Sequence, residues 1–250
     1  MFSLRLATTT TCIRRARRTI STVRLVESTA TRSLALPLCF VSLKGYEPSS
    51  STSSPDFKRE WISKFSEKGY SSIIVEIDPT IDSITSSKTS KQLLSSLETE
   101  FISLLSSDSL TSSPFPPLLF SSGPISSYLT QSYVSSNPLS GLLLYKPLPL
   151  DQIQNLFPLI TTNSNNDVEV DEDLKEFDFE PFFPVAVVTS SNNENHNQVE
   201  EIKEQEENFR LIKGLTEEEE EDGFVKRIKE GNNDLETWEK VMNWMDENGL

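Results

Sequence analysis

The stretch PPLLFSSGPISSYL, residues 116–129, places an apolar run directly before a sharp turn and a helix-like segment. The run LLF has the continuous apolar character of a strand that is buried on both faces of a sheet. Ser121, Ser122 and Gly123 follow it, and Pro124 comes where a proline suits the first turn of a helix. The stretch therefore predicts a buried strand that turns sharply into a helix.

Segments of these two kinds alternate along most of the chain. Helix-like segments carry apolar stripes at helical spacing, and between them lie short apolar runs with strand character. Repeated alternation predicts an α/β fold, with a mostly parallel sheet flanked by helices on both faces. The other predicted strands are residues 38–45, 71–79, 140–148, 182–190 and 208–215. The last helix is predicted to bury Leu235, Trp238, Val241, Met242 and Met245.

The first 33 residues differ in composition from the rest of the chain. They contain seven arginines, one acidic residue (Glu27), many serines and threonines, and scattered apolar side chains. This composition is typical of a mitochondrial transit peptide, and RTIS at residues 18–21 is similar to a matrix-protease site. We therefore predict a disordered transit peptide at residues 1–33 and a protein of the mitochondrial matrix. A disordered basic arm that binds nucleic acid is the alternative.

Charge separates this segment from the rest of the protein. The whole chain has a net charge of −15 and residues 1–33 contribute +6, so residues 34–250 carry −21. Such a domain repels phosphate backbones and anionic lipid surfaces, which argues against nucleic-acid binding by the folded part. No apolar stretch reaches the length of a transmembrane segment. Residues 161–180 are polar and acidic and predict a flexible insertion within the domain of residues 34–250.

The side chains that bind metals and cofactors form no recognisable pattern. Cys39 is the only thiol in residues 34–250, and its apolar surroundings predict a small buried side chain. Zinc ligands at a characteristic spacing are missing, and the acidic runs lack the glycine and spacing of a calcium loop. SSGP at residues 121–124 has no lysine for a phosphate-binding loop. We therefore predict no cofactor and no metal.

The order of the segments resembles the alpha/beta-hydrolase superfamily over roughly residues 36–250. Six segments carry the resemblance: CFVSLKGYEPSSS, WISKFSEKGYSSIIVEIDP, LLFSSGPISSYLTQSYVSSNPLSGLLLYKP, PFFPVAVVTSSNNEN, NFRLIKGL and TWEKVMNWMDENGL. The resemblance implies a nucleophile elbow near residue 122, an oxyanion loop after the first of these strands, and a catalytic histidine after the last strand. It also implies that residues 147–181 are a reduced, polar lid region.

Compared with the family's G-x-S-x-G elbow, the turn lacks the pair of flanking glycines. In the register that best fits the helix, the nucleophile position is Gly123, and a shift of one residue puts Ser122 there. Pro124 follows and removes a backbone N–H. In the oxyanion loop, Lys44 and Gly45 replace the usual histidine–glycine pair, so only the glycine is kept.

The expected general base and acid are also missing. The loop after residues 208–215 is TEEEEEDG and contains no histidine. The only histidine of the chain is His196, at the place where the family keeps its acid, and Glu194 lies two residues before it. Ser122, His196 and Glu194 are therefore weak catalytic candidates, because a serine nucleophile needs an adjacent base.

Three functions fit these observations. The first is a non-catalytic alpha/beta-hydrolase-like protein of mitochondria that binds a basic protein partner or a small acyl ligand. The second is a serine esterase or thioesterase with an unorthodox site around Ser122, which would hydrolyse ester or thioester bonds. The third is a structural subunit of a mitochondrial complex. The missing triad favours the first, although fold alone does not settle activity.

Overall fold

The computed structural model of this 250-residue chain describes residues 21–43, 56–78, 90–106, 113, 115–150, 152–153, 177, 180–189, 209–213, 223–231 and 233–250. The strands are β1 (Thr22–Val26), β2 (Pro37–Leu43), β3 (Ser71–Ile77), β4 (Leu118–Ser122), β5 (Gly141–Tyr145), β6 (Val185–Thr189) and β7 (Val225–Lys229). The helices of these ranges are α1 (Asp56–Lys68), α2 (Ser90–Leu105), α3 (Pro124–Val134) and α4 (Asp234–Glu247).

All seven described strands form one sheet, in the order β1–β3–β2–β4–β5–β6–β7. Strands β2 to β7 pair in parallel with their neighbours, and β1 pairs antiparallel with β3 at the edge. The predicted α/β fold with a mostly parallel sheet is confirmed. Because neighbouring strands β4 to β7 run in one direction, their carboxyl ends meet at the same edge of the sheet.

Helices cover both faces of the sheet. Side chains alternate along each strand, so Leu38 and Phe40 of β2 pack with α1 and α4, whereas Cys39 and Val41 pack with α2 and α3. Full burial of the Cys39 thiol raises its pKa, because the charged thiolate loses its hydration. Both layers are apolar, as the continuous apolar runs of a doubly covered sheet require.

The folded domain begins earlier than residue 34, so the predicted boundary at residue 33 is corrected. Strand β1 lies inside residues 1–33, and the segment after it packs on the end of α1. The Thr29 amide donates to the Ser66 carbonyl at 3.1 Å, and the Leu34 amide donates to the Gly69 carbonyl at 2.7 Å. Residues 1–20 lie outside the described residues, and so does most of the predicted insertion at 161–180.

The last strand of the sheet is β7, which corrects the predicted strand at residues 208–215. The described part of that segment, residues 209–213, forms a turn in which the Lys213 amide donates to the Phe209 carbonyl at 2.9 Å. Phe209 and Ile212 are buried beside the sheet. Strand β7 reads VKRIK, and as an edge strand it buries only Ile228 fully. Charged edge strands of this kind give no apolar run to recognise.

Helix α4 buries Trp238, Val241 and Met245 as predicted, whereas Met242 is only partly buried and two further side chains differ from the prediction. Leu235 was expected to be buried but is 45% exposed. Trp244, which was not singled out, is 1% exposed and packs in the layer between α4 and the sheet. No described helix is both long and apolar enough to span a membrane.

Candidate functional site

Gly123 forms the turn between β4 and α3, at the carboxyl edge of the sheet. Its backbone angles, φ 99° and ψ 160°, lie in a region that is nearly restricted to glycine. Pro124 begins α3 immediately after it. The strand, the sharp turn and the helix predicted from residues 116–129 are therefore present, and Gly123 is the residue at the centre of the turn.

The two serines before Gly123 point to opposite faces of the sheet. Ser121 is 1% exposed, and its hydroxyl lies 3.2 Å from that of Ser127 on α3 and donates to the Leu143 carbonyl at 3.4 Å. Ser121 therefore fixes α3 against the sheet. Ser122 is half-buried and lines a small cavity on the opposite face. Within the described ranges its hydroxyl has no basic side chain as a hydrogen-bond partner.

The backbone amides at the turn are not placed to bind an oxyanion. In the alpha/beta-hydrolase superfamily, which the sequence resembles, one oxyanion donor is the N–H of the residue that follows the nucleophile. If Ser122 were the nucleophile, the donor would be Gly123, whose N–H already points to the Tyr145 carbonyl at 3.5 Å. If Gly123 marks the nucleophile position, the next residue is Pro124, which has no N–H. Neither register leaves a free amide after the nucleophile position.

A compact polar network closes the carboxyl ends of β5 and β7. The Tyr145 hydroxyl donates to the Glu230 carboxylate, and the Lys146 ammonium pairs with the same carboxylate at 2.8 Å. Backbone hydrogen bonds hold both charged residues: the Lys146 amide donates to Val188 at 2.9 Å, and the Glu230 amide donates to Thr189 at 2.8 Å. Glu230 directly follows β7, and its carboxylate contacts both Tyr145 and Lys146.

Lys146 has a backbone conformation that supports this network. Its φ is 50°, which among described non-glycine residues occurs only here. A non-glycine residue with positive φ has a strained backbone, and such a conformation persists where the surrounding structure holds it in place. The ammonium also lies 5.4 Å from the centre of the Tyr145 ring, a cation–π contact. The strained turn therefore directs Lys146 back over the end of β5.

Aromatic side chains fill the space above Ser122. The cavity that Ser122 lines has a volume of about 10 Å³, and its other walls come from Phe40, Trp61, Phe120, Ser121, Leu143 and Tyr145. Trp61 packs edge-on against Tyr145 with ring centres 6.3 Å apart. A cavity near this size is at the lower limit for one water molecule. It has no room for an acyl chain.

The start of α4 completes the edge. The Trp61 indole N–H donates to the Asp234 carbonyl at 3.3 Å, which ties α1 to α4. Partial burial and then the Glu60 and Glu230 carboxylates raise the pKa of Asp234, and Lys146 and Lys64 oppose that effect. The Asp234 residue is nevertheless exposed. Charged groups of both signs therefore lie near the start of α4.

The structure brings together only some of the predicted site residues. Ser121, Ser122, Gly123 and Pro124 lie at the turn, as described above. Lys44, Gly45, Glu194 and His196 lie outside the described residues. Among the residues that are described, no cluster of histidine, cysteine and acidic side chains could hold a metal ion.

Tyr145, Lys146 and Glu230 were not singled out from the sequence, yet they occupy the same edge as Gly123. A signal for them exists, since polar residues that directly follow parallel strands converge at the carboxyl edge of the sheet. Tyr145 and Lys146 end the run LLLYK. Glu230 was missed because β7 was placed at residues 208–215, which moved the expected histidine loop to the wrong segment.

No protein-family model matches the chain, and no curated protein matches its sequence. Solved structures do match. Acylaminoacyl peptidase from Pyrococcus horikoshii is similar with a TM-score of 0.51 at 9% identity, covering 91% of this chain and 39% of that chain. An acylaminoacyl peptidase in complex with Z-Gly-Gly-Phe-chloromethyl ketone gives a TM-score of 0.51 at 10% identity, covering 90% and 39%.

A soluble variant of monoglyceride lipase from Saccharomyces cerevisiae, solved with a substrate analog, has a TM-score of 0.49 at 11% identity and covers 99% of this chain and 97% of that chain. The sheet order and the similarity to the peptidases establish that this chain has the alpha/beta-hydrolase fold. At such low identity the similarity concerns the fold and does not extend to activity. In this fold, the loop after β7 is where the resemblance places the catalytic histidine, and that loop begins with Glu230 and Gly231.

Proposed function

We propose that this protein is a non-catalytic protein with the alpha/beta-hydrolase fold, and that it acts by binding a partner in the mitochondrial matrix. Hydrolysis in this fold needs a nucleophile, a base and amide donors for the oxyanion. The described part of the edge offers a glycine at the centre of the turn and, beside it, a cavity of only about 10 Å³. Its folded surface remains available for binding.

The observation that carries the proposal is the state of the backbone amides around the turn. The Gly123 N–H points to the Tyr145 carbonyl at 3.5 Å, and Pro124 has no N–H to offer. Loss of one oxyanion donor costs on the order of a hundredfold or more in rate. A missing catalytic side chain can be replaced by another side chain nearby, but a missing backbone N–H cannot. With Gly123 at the nucleophile position, the next residue is Pro124, which has no N–H to bind the oxyanion.

The residue that follows β7 supports the same proposal. Glu230 is held by the Tyr145 hydroxyl and by Lys146 at 2.8 Å, so its carboxylate is neutralised within the network. A general base must lie within hydrogen-bond reach of the nucleophile, and both carboxylate oxygens of Glu230 already have partners in this network. The mitochondrial part of the proposal rests on the arginine-rich composition of the first residues.

Labelling with a fluorophosphonate serine probe tests the proposal directly. We expect no labelling of the full chain or of its Ser122→Ala variant, because no described group activates the Ser122 hydroxyl. An active serine esterase at the same concentration serves as the positive control. Circular dichroism of both forms shows that the comparison concerns folded protein.

Labelling that the Ser122→Ala substitution abolishes would contradict the proposal and support the esterase alternative. A His196→Ala variant then tests whether the only histidine of the chain acts as the base. Labelling that persists equally in Ser122→Ala would place the reactive group elsewhere and would equally overturn the non-catalytic assignment.

A further inference from the structure

Helix α4 is followed by the only Asn–Gly pair of the sequence. Of the eight glycines in the chain, only Gly249 has an asparagine, Asn248, directly before it. Both residues are exposed. In such a pair the backbone nitrogen of glycine can attack the side-chain amide of asparagine with little steric hindrance, because glycine has no side chain. The end of α4 therefore carries an amide that is prone to spontaneous loss.

The backbone after α4 forms a glycine cap of the Schellman type. Gly249 has a φ of 66°, and its amide donates to the Asp246 carbonyl at 3.2 Å. The Leu250 amide donates to the Met245 carbonyl at 3.0 Å. These are the two hydrogen bonds that define the motif, and Leu250 packs against the apolar layer that contains Met245. The cap therefore uses the same glycine that makes Asn248 reactive.

The reacting groups of the pair are both held by hydrogen bonds of this cap. The Asn248 side-chain amide donates from Nδ2 to the Trp244 carbonyl at 2.8 Å. The Gly249 nitrogen, which would attack that side chain, is held by its hydrogen bond to Asp246. Reaction requires these hydrogen bonds to open, so its rate depends on local opening of the last turn of α4.

A buried tyrosine ties the cap to the sheet. Tyr70 directly precedes β3, and its hydroxyl donates to the Leu250 carbonyl at 2.9 Å. Burial, and then the Asp246 carboxylate, raise the pKa of Tyr70, so its hydroxyl keeps the proton that it donates. This hydrogen bond opposes opening of the segment after α4.

We propose that Asn248 is a site of spontaneous deamidation, and that the reaction turns its side chain from a stabilising into a destabilising part of the cap. The Gly249 nitrogen forms a bond to Cγ of Asn248, the Cγ–Nδ2 bond breaks, and ammonia leaves with the proton of the Gly249 N–H. Water then opens the cyclic imide at either carbonyl, which gives aspartate or isoaspartate. Water is the only co-reactant, and the inference does not rest on the proposed binding function.

The product does not fit the end of the helix. An ionised carboxylate has no hydrogen to donate, so it would face the Trp244 carbonyl as a second negative group. It also adds negative charge at the end of α4 where the helix dipole is negative, beside Asp246 and Glu247, and the last turn contains no basic residue. Deamidation therefore loosens the cap and the contact that Leu250 makes with the core.

Mass spectrometry of the full chain after incubation in mildly alkaline buffer tests the site. Trypsin releases a peptide that starts at Val241 and contains both Asn243 and Asn248. Asn243 is the internal control, because it is exposed on the same helix but is followed by the bulky Trp244. We expect conversion at Asn248 and none at Asn243, and faster conversion at Asn248 when urea unfolds the chain. Equal conversion of the two asparagines, or no conversion at Asn248 in the folded chain, would overturn the proposal.

Tyr70→Phe tests whether the cap controls the rate. The substitution removes only the hydroxyl that bonds Leu250, so we expect deamidation of the folded chain to accelerate by about threefold or more. Tyr133→Phe is the matched control, because its ring packs against Phe101 on the opposite face of the sheet. We expect it to leave the rate unchanged, and circular dichroism shows that both variants are folded. Equal rates in Tyr70→Phe and Tyr133→Phe would contradict control by the cap.

Asn248→Asp introduces the carboxylate of the product directly. Asn243→Asp makes the same change of charge on the same helix without touching the cap, so it is the matched control. We expect Asn248→Asp to have the lower urea midpoint of the two, because it loses the hydrogen bond to Trp244. Equal midpoints would overturn the proposed effect of deamidation on the cap.

Discussion

At the scale of single residues, Gly123 shows how one backbone conformation limits the chemistry of the turn. Its φ of 99° and ψ of 160° let the chain leave β4 and enter α3 within one residue. The same conformation turns its N–H toward the Tyr145 carbonyl of the neighbouring strand. A residue with a Cβ atom is strained there. The sharp turn and the loss of the Gly123 N–H as an oxyanion donor therefore follow from the same backbone conformation.

We expect Gly123→Ala to lower the free energy of unfolding by about 1 to 3 kcal/mol, because alanine must adopt a conformation nearly restricted to glycine. Urea unfolding followed by circular dichroism measures the effect. Ser122→Ala, one residue earlier, is the matched control and should change stability by about 0.5 kcal/mol or less. Equal stability of Gly123→Ala and wild type would mean that the turn has a different backbone conformation.

At the scale of secondary-structure elements, β1 and the segment after it decide where the folded domain begins. Strand β1 pairs along its whole length with β3, from Thr22 opposite Glu76 to Val26 opposite Ser72. Beyond β1, Arg32 and Leu34 lie against Gly69 at the end of α1: a Cβ on Gly69 would come within 2.7 Å of the Arg32 carbonyl. This close fit requires glycine and keeps residues 27–34 part of the domain.

Two amino-terminal truncations separate the basic segment from the strand. We expect removal of residues 1–20 to leave the urea midpoint unchanged. Removal of residues 1–33 should destabilise the domain by about 2 kcal/mol or more, because it deletes the β1 ladder and the apolar contacts that the half-buried Val23 and Val26 make with the core. Equal stability of the two truncations would show that β1 contributes nothing to the fold.

At the scale of the whole molecule, the two ends of the sheet have opposite characters. In the described part of the carboxyl edge, Tyr145, Lys146 and Glu230 form a polar network and Trp61 packs against Tyr145. At the amino edge, Phe115, Phe182 and Phe224, which lie just before strands β4, β6 and β7, are exposed. A hydrolase of this fold works at its carboxyl edge, so the network and the Trp61 packing lie where the proposed non-catalytic role is to be tested.

Import into isolated mitochondria tests the proposed location. We expect the full chain to enter in a manner that depends on the membrane potential, and replacement of Arg14, Arg15, Arg17 and Arg18 by glutamate should abolish import. Sequencing of the imported product should find its amino terminus upstream of Thr22, because cleavage further on would remove β1. Failure to import, or a folded product that starts after residue 33, would contradict this prediction.

The local sequence pattern was enough to predict helices that are apolar over several turns and strands that are apolar over several consecutive residues. Trp61, Ile62 and Phe65 on α1 and Leu93, Leu97 and Phe101 on α2 recur at helical spacing, and all six are buried. The turn at Gly123 and the burial of Cys39 follow from the same local signals. Burial of an apolar stripe does not depend on which strand lies opposite, so it can be predicted from the sequence alone.

The edge strands and the contacts at the carboxyl edge depend on pairing between segments that are distant in the sequence. Strands β1 and β7 are edge strands with charged residues, so they are recognised only through their partners, β3 and β6. Tyr145 and Glu230 are 85 residues apart and share a hydrogen bond only because parallel strands bring their ends together. The orientation of the Gly123 amide likewise depends on β5. The contacts at this edge form only because strand ends that are distant in sequence meet there in the folded sheet. The sequence pattern alone does not show which strand ends meet.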